Sequence, residues 1–260
     1  MRINMLLNIE KALKNLLGND SRPIVIYSAI WPFARIVKLP EKELCKAILD
    51  ILVNVTGPDR TLFMPTFTNG FKDGICDLDK ELSLTGTLSE EFRKLKHVRR
   101  TICPFFSFAA LGPDTSKVVN LRPIDAWGED SLYEWLHNND AHIVTLGLHP
   151  THCSFTHRAE WLTKDKITYR YIKEFDGNII HEGQKIPVKE RLFVRQLNPS
   201  PINDFTWLLD KYKQSGMQQI IIEGISISEM SAKAKINTIL EVLEIDSLAL
   251  IKNRNEFEKD

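Results

Sequence analysis

Apolar residues recur at helical spacing over residues 5–17 and again over about 40–55. Each stretch is followed by a short continuous apolar run, at 24–28 and at 61–65. A period near 3.6 predicts amphipathic helices, and a short bounded apolar run predicts a strand buried on both faces. Their alternation predicts an α/β sheet covered by helices. Residues 69–83, polar and carrying Gly70 and Gly74, read as a surface loop near the site. Further on, the spacing predicts a helix after Gly86, a strand-like run over 105–112, a helix over about 129–138 and a buried strand over 141–147. That last strand leads into a helix that opens at residues 154–160.

After residue 165 the pattern changes. Residues 167–175 alternate as a half-exposed strand, Asp176-Gly177 carries the signal of a hairpin turn, and a second strand follows through Ile180. A strand at 190–195, a helix near 203–214, a strand at 219–224 and a helix near 231–243 complete the reading. The expectation is a single α/β domain over 1–260: a central mixed sheet flanked by helices, with an antiparallel, strand-rich C-terminal portion from about residue 166.

Composition narrows the functional classes. With 260 residues, 43% of them hydrophobic, the chain can bury a full core. Lys plus Arg and Asp plus Glu both number 34, so no net field exists to recruit nucleic acid or an anionic membrane. Cys45, Cys76, Cys103 and Cys153 are widely spaced with no Cys-x-x-Cys, which argues against a disulfide framework and a zinc ribbon. The first residues read as an amphipathic helix rather than a leader, and no apolar run approaches the length of a membrane span. A reducing, cytoplasmic setting is expected.

Chemistry centres on Ser154-Phe-Thr-His-Arg-Ala-Glu160. Residues three apart on a helix are neighbours, so Glu160 can orient the imidazole of His157 and stabilise the cation formed when it takes a proton. The unpaired N–H groups of a first helical turn also disfavour an imidazolium there. Thr66 and Thr68 follow an apolar strand where open α/β sheets place ligands, and Ser28 ends the first strand. Ser107 sits among aromatics, either as a buried structural hydroxyl or as a donor to a substrate carbonyl. Neither glycine-rich nucleotide fingerprint is present. His149, His152, His157 and Cys153 match no common zinc spacing, so no metal is expected. Cys153 or Cys103 as a nucleophile leaves a cysteine-dependent hydrolase or acyltransferase as an alternative.

In order and approximate spacing these segments resemble the aminoglycoside 3-N-acetyltransferase family, also called the antibiotic N-acetyltransferases. The family's strand ending in a His-Ser-Ser turn resembles residues 26–30, and its Met-Pro-Thr-Phe-Thr is intact at Met64 to Thr68. Its Gly-x-Leu helix start with a following Arg resembles Gly86 to Arg93. Arg-Ser-x-His-Pro-x-x-Ser-Phe-Ala-Ala-x-Gly is similar to Arg100 to Gly112. Phe-Gly-x-x-Ser-Pro-Leu resembles Trp127 to Leu132, and Thr-x-x-His-x-x-Glu is similar to the segment ending at Glu160. The resemblance is good from about residue 20 to 165 and weaker beyond.

The resemblance implies acetyl transfer from acetyl-CoA, as co-substrate, to an amino group of an amino sugar or aminoglycoside, by direct attack. His157 becomes the base and Glu160 its orienter. Thr66, Thr68 and Ser107 become candidates for the thioester and pantetheine, and Ser28 for the CoA phosphates. A homodimer is compatible with this reading. Three positions depart from the family pattern: Cys103 stands for the His before Pro, Thr151 near the place of a loop Asp, and Tyr27 at the start of the His-Ser-Ser turn. With bulky aromatics at Trp31, Phe33, Phe105, Phe106 and Trp127 in a neutral chain, the expected acceptor is less cationic than an aminoglycoside, such as an amino sugar of a glycan precursor. The departures also keep open a silent relative that binds CoA or a glycan without turnover.

Overall fold

The computed structural model describes residues 2–258. Its N-terminal half alternates helices and strands. Helix α1 (Arg2–Leu17) precedes β1 (Ile24–Ser28), and α2 (Trp31–Val37) and α3 (Glu41–Thr56) precede β2 (Leu62–Pro65). Strand β3 (Ile75–Asp77) and helix α4 (Thr87–Arg93) lead to β4 (Arg99–Arg100) and β5 (Phe108–Leu111). Then come α5 (Thr115–Val118), α6 (Leu132–Asn138), β6 (His142–Leu146) and α7 (Phe155–Leu162). The chain continues through β7 (Arg170–His181), β8 (Gln184–Arg195), α8 (Leu208–Gln214), β9 (Gln218–Ile222), β10 (Ile225–Ser231) and α9 (Ala232–Ile245).

Seven strands form the main sheet in the order β4-β5-β2-β1-β6-β10-β9. The three central strands β2, β1 and β6 run parallel, and those outside them are antiparallel. The sheet is therefore mixed, flanked by helices, as the alternation predicts. Along β1 the side chains divide the core: Val25 and Tyr27 pack toward α6, α7 and α9, and Ile24 and Ile26 toward α1, α3 and α4. Both faces being covered explains why this strand reads as continuous apolar sequence.

A second, three-stranded sheet, β3-β7-β8, stands apart from the first. Here the structure corrects two expectations. Asp176-Gly177 is not a turn: β7 runs straight through it, with Gly177 opposite Val188. The glycine serves close approach instead, since a Cβ there would come within 2.7 Å of both the Gly74 carbonyl and the Phe71 ring. The reversal falls at Glu182-Gly183, whose φ values of 50° and 73° suit a two-residue hairpin loop of the primed type. Nor is 69–83 wholly a surface loop. Within it β3 pairs in parallel with β7, and Cys76 and Leu78 are buried against Ile179. Polar composition concealed this strand because only alternate residues face inward.

Helix α2 and strand β10 are among the elements that escape the hydrophobic pattern. Helix α2 is short and begins on Trp31-Pro32. Strand β10, Ile-Ser-Ile-Ser-Glu-Met-Ser, lies between β6 and β9 with four consecutive residues buried, Ile227 to Met230. Its Ser228 hydroxyl finds Thr145 at 2.6 Å, and Glu229 accepts from the ring of His142 at 2.7 Å. Polar residues thus occupy core positions because each has a partner. Among the described residues no helix is long and apolar enough to cross a membrane.

Candidate active site

The end of β6 and the start of α7 build the site. Gly147 turns the chain at φ 74°, where a Cβ would lie 2.4 Å from the Ala29 carbonyl. Only glycine lets this strand end lie against the segment after β1. Helix α7 then opens at Ser154, whose hydroxyl receives no backbone N–H; it meets the Tyr27 hydroxyl at 2.8 Å and the Tyr133 hydroxyl at 2.6 Å. These bonds tie the end of β1 and the first turn of α6 to the start of α7. Tyr27, at a position that departs from the family pattern, therefore has a structural task.

In the first turn of α7, His157 Nδ1 lies 2.6 Å from Glu160 Oε2. Glu160 is fully buried, and its other oxygen accepts from Tyr169 Oη and Arg170 Nε, both at 2.9 Å. Burial works to raise its pKa. The Arg170 charge, the His157 hydrogen bond and the Tyr169 hydroxyl outweigh that and hold it at about 2. Glu160 is thus a carboxylate at any ordinary pH and only accepts, so Nδ1 carries a proton, and in the tautomer this selects the lone pair is on Nε2. Nε2 has no hydrogen-bond partner among the described residues, and His157 lines an open cleft of about 340 Å³. An oriented imidazole with an unpartnered ring nitrogen, on a residue that lines a cleft, can act as a general base.

The cleft lies between α7 and the β7–β8 hairpin. Trp127 packs edge-on to His157 with centroids 5.6 Å apart, and Phe106 stacks behind it at 4.7 Å. Arg158, buried, donates to the carbonyls of Trp127 and Gly128 and so fixes this wall. Phe205 also lies edge-on to the imidazole, with centroids 6.5 Å apart. From the hairpin come Phe175, Leu192 and Val194, with Arg170, Lys173 and Arg195 at the edges. A larger hollow of about 470 Å³, between the C-terminal end of α3 and β2, holds no titratable side chain and has no evident chemistry.

The remaining expected site residues form a separate cluster. Thr66, Thr68 and Ser107 are buried, and none lines the cleft. Ser107 Oγ donates to the Thr66 carbonyl at 2.7 Å and receives Arg100 Nε at 3.0 Å. Thr68 Oγ1 donates to the Pro104 carbonyl and accepts the Gly70 N–H. The centre of the cluster is Arg100, which also donates to the carbonyls of Thr66, Leu78 and Glu81. Burial lowers its pKa to about 10, leaving it cationic at neutral pH. The hydroxyls expected to face a cofactor are spent inside the protein. Sequence reasoning passed over Arg100, although it stands at the head of the motif containing Ser107. Ser28 differs from these three: it is half-buried at the carboxyl end of β1, opposite Leu146.

Cys103 has a related role. Its thiol donates to Glu190 Oε1 at 2.8 Å, and the Phe105 N–H reaches the other oxygen at 3.3 Å. Burial pushes the thiol pKa well up and Glu190 up to about 7, so this is a protonated thiol beside a reluctant carboxylate. No hydrogen bond joins a thiol to an imidazole among the described residues, and neither Cys103 nor Cys153 lines the cleft. His149 and His152 lie 5.5 Å apart, and no group of three or more potential metal ligands occurs among the described residues.

Comparison with known proteins agrees with this architecture. A curated relative, the SPbeta prophage-derived aminoglycoside N(3')-acetyltransferase-like protein YokD of Bacillus subtilis (strain 168), is 29% identical over 102 residues. That stretch covers 39% of this chain and 36% of the relative. Among solved structures, AAC-IIIb in binary complex with CoASH superposes with a TM-score of 0.75 at 18% identity, over 92% of this chain and 96% of the other. Sisomicin-bound AAC-VIa does so with 0.71 at 18% identity, over 91% and 97%. These identities speak for the fold. A sequence profile described as Aminoglycoside 3-N-acetyltransferase matches residues 33–244, a span running from α2 through the site into α9, and the chain therefore belongs to the aminoglycoside 3-N-acetyltransferase family.

Proposed function

We propose that the protein is an acetyl-CoA-dependent N-acetyltransferase acting on an amino group of an amino sugar or aminoglycoside, by direct transfer with His157 as general base. The observation that carries this reading is the imidazole itself: Nδ1 held by a permanently ionised Glu160, Nε2 free toward the cleft. An amine is mostly protonated in neutral water, so it attacks a carbonyl only if a neighbouring group takes its proton.

Acetyl-CoA, as donor substrate, supplies a thioester carbon for the amine to attack. The amine first loses its ammonium proton to solvent and attacks as the free base; His157 Nε2 then receives a second amine proton as the new C–N bond forms, and passes it to the departing sulfur as the C–S bond breaks. Glu160 stabilises the transient imidazolium and fixes the ring, while Arg170 balances the buried carboxylate so that the site changes charge only at His157. Trp127, Phe106 and Phe205 exclude water from the reacting atoms. Ser28 and the turn after it are assigned to the CoA phosphates. Thr66, Thr68 and Ser107, whose hydroxyls bond within the protein, are assigned to holding the Arg100 cluster in shape.

A cysteine nucleophile has no support in this geometry. The test of the proposal is thiol release from acetyl-CoA in the presence of aminoglycosides, free amino sugars and nucleotide-linked amino sugars. Release with one acceptor class, with the acetylated amine found by mass spectrometry, is the expected result. CoA binding with no release from any amine would overturn it in favour of a silent binding protein.

A further inference from the structure

One face of the β7–β8 hairpin forms a floor for the cleft before His157. Cross-strand partners share a face, and the register pairs Tyr171 with Val194, Lys173 with Leu192 and Phe175 with Glu190. Tyr171, Phe175, Leu192 and Val194 line the cleft, as does Leu197 just past β8. Apolar side chains therefore run from Trp127, beside the imidazole, to the rim. At the rim Tyr171 is 43% exposed and Leu197 77% exposed. Large apolar groups left in water along a concave site mark a surface that a ligand covers.

This floor offers an ammonium group no counterion. Among the described residues no carboxylate lines the cleft, and the charged side chains that do, Arg170, Lys173 and Arg195, are cations. Glu190 shares the face of Phe175, yet it is buried and spent on the Cys103 thiol at 2.8 Å and the Phe105 N–H at 3.3 Å. Glu160 is saturated by His157, Tyr169 and Arg170. Lys173 lays its own ammonium over the Phe175 ring, 5.0 Å from the centroid. A polycationic acceptor would bring further ammonium groups onto apolar surface, unpaired and against like charge.

We infer that the cleft takes a singly charged acceptor: an amino sugar with one amine and a flat apolar substituent, the substituent seated along Tyr171, Leu192, Val194 and Leu197. Such a group removes exposed rim surface from water, and a flat ring meets Tyr171 in the offset or edge contacts that aromatic pairs prefer. The amine's fate rests on the acetyl-transfer reading; the seat for the apolar group does not. The donor also has apolar parts, so the test must separate donor from acceptor.

Calorimetric titration of the intact protein with phenyl β-glucosaminide, methyl β-glucosaminide, sisomicin and acetyl-CoA makes the separation, using the wild type and a Tyr171→Ser, Leu197→Ser double variant. Both side chains changed are exposed, so the fold does not depend on them. The phenyl glycoside is expected to bind about tenfold tighter than the methyl glycoside, and this preference to fall at least about threefold in the variant, with acetyl-CoA affinity unchanged. Equal affinity for the two glycosides in the wild type overturns the inference. So does tighter binding of sisomicin than of the phenyl glycoside. A variant that weakens acetyl-CoA alone also overturns it, by giving the apolar floor to the donor. Thiol-release assays run alongside keep the two readings apart. Faster turnover of sisomicin than of the phenyl glycoside overturns this inference and leaves acetyl transfer standing. A phenyl preference lost in the variant, with no thiol release from any amine, supports the apolar seat and overturns acetyl transfer.

Discussion

Two polar networks stand at the strand ends of this protein, one around Glu160 and one around Arg100, and they are built on opposite plans. Around Arg100 the donors and acceptors are consumed: the guanidinium takes three carbonyls and the Ser107 hydroxyl, and Thr66 and Thr68 bond inward. Around Glu160 the carboxylate is equally saturated, by His157, Tyr169 and Arg170, but one nitrogen of the cleft-lining His157 is left without a partner. The first network can only hold a shape. The second leaves one atom without a partner, which is what the proposed chemistry requires.

Breaking each network separates the two plans. Arg100→Met strands several buried carbonyls and hydroxyls at once and is expected to destabilise the fold by about 3–5 kcal/mol, read as a lower midpoint in urea. Glu160→Gln removes the countercharge of a buried arginine and is expected to cost about 3 kcal/mol as well. It also carries a pH signature. The Glu160 carboxyl is held at about 2, below the ordinary 4.5, so its contribution is fully present above about pH 4.5 and lost as pH falls toward 2. Acid unfolding curves of the Gln variant are expected to be flatter over that interval.

Glu190 gives the opposite sign. Burial raises it to about 7, so the native state holds its proton more tightly than the unfolded chain does. That contribution is present below about pH 4.5 and lost as pH rises through 7. Glu190→Gln is therefore expected to flatten this decline and to raise stability at pH 8 by about 1–3 kcal/mol, measured by denaturation at pH 5 and pH 8. The smallest effect belongs to Ser107→Ala, which removes one hydroxyl from a cluster that keeps its other bonds, at about 1 kcal/mol. A loss of acetyl-CoA affinity without loss of stability in that variant would place the hydroxyl in the donor site after all.

The contrast also explains what could be read from the chain. Helical spacing gave the His157–Glu160 contact directly, because residues three apart on a helix meet whatever surrounds them. Runs of apolar residues gave β1, β2 and β6, buried on both faces. What packing alone decides was not legible. A Ser or Thr at a strand end looks the same whether it faces a ligand or a buried guanidinium, and only the fold brings Arg100 to Thr66. Asp176-Gly177 carries a turn signal, but the glycine was needed for close approach to Gly74 and Phe71. Strand β10 was hidden because its buried polar residues find partners on β6. Tyr169 and Arg170 lie beyond the segment of clear resemblance, and nothing in their spacing ties them to Glu160.

The central claim is that His157 acts through its free nitrogen rather than by supporting the fold. Its most direct test is His157→Ala, assayed for acetyl-CoA thiol release with the best acceptor and for thermal unfolding on the same preparation. A fall in kcat of about 10²–10⁴-fold is expected, with a melting temperature changed by no more than about 4 °C. Full turnover in the variant would contradict it.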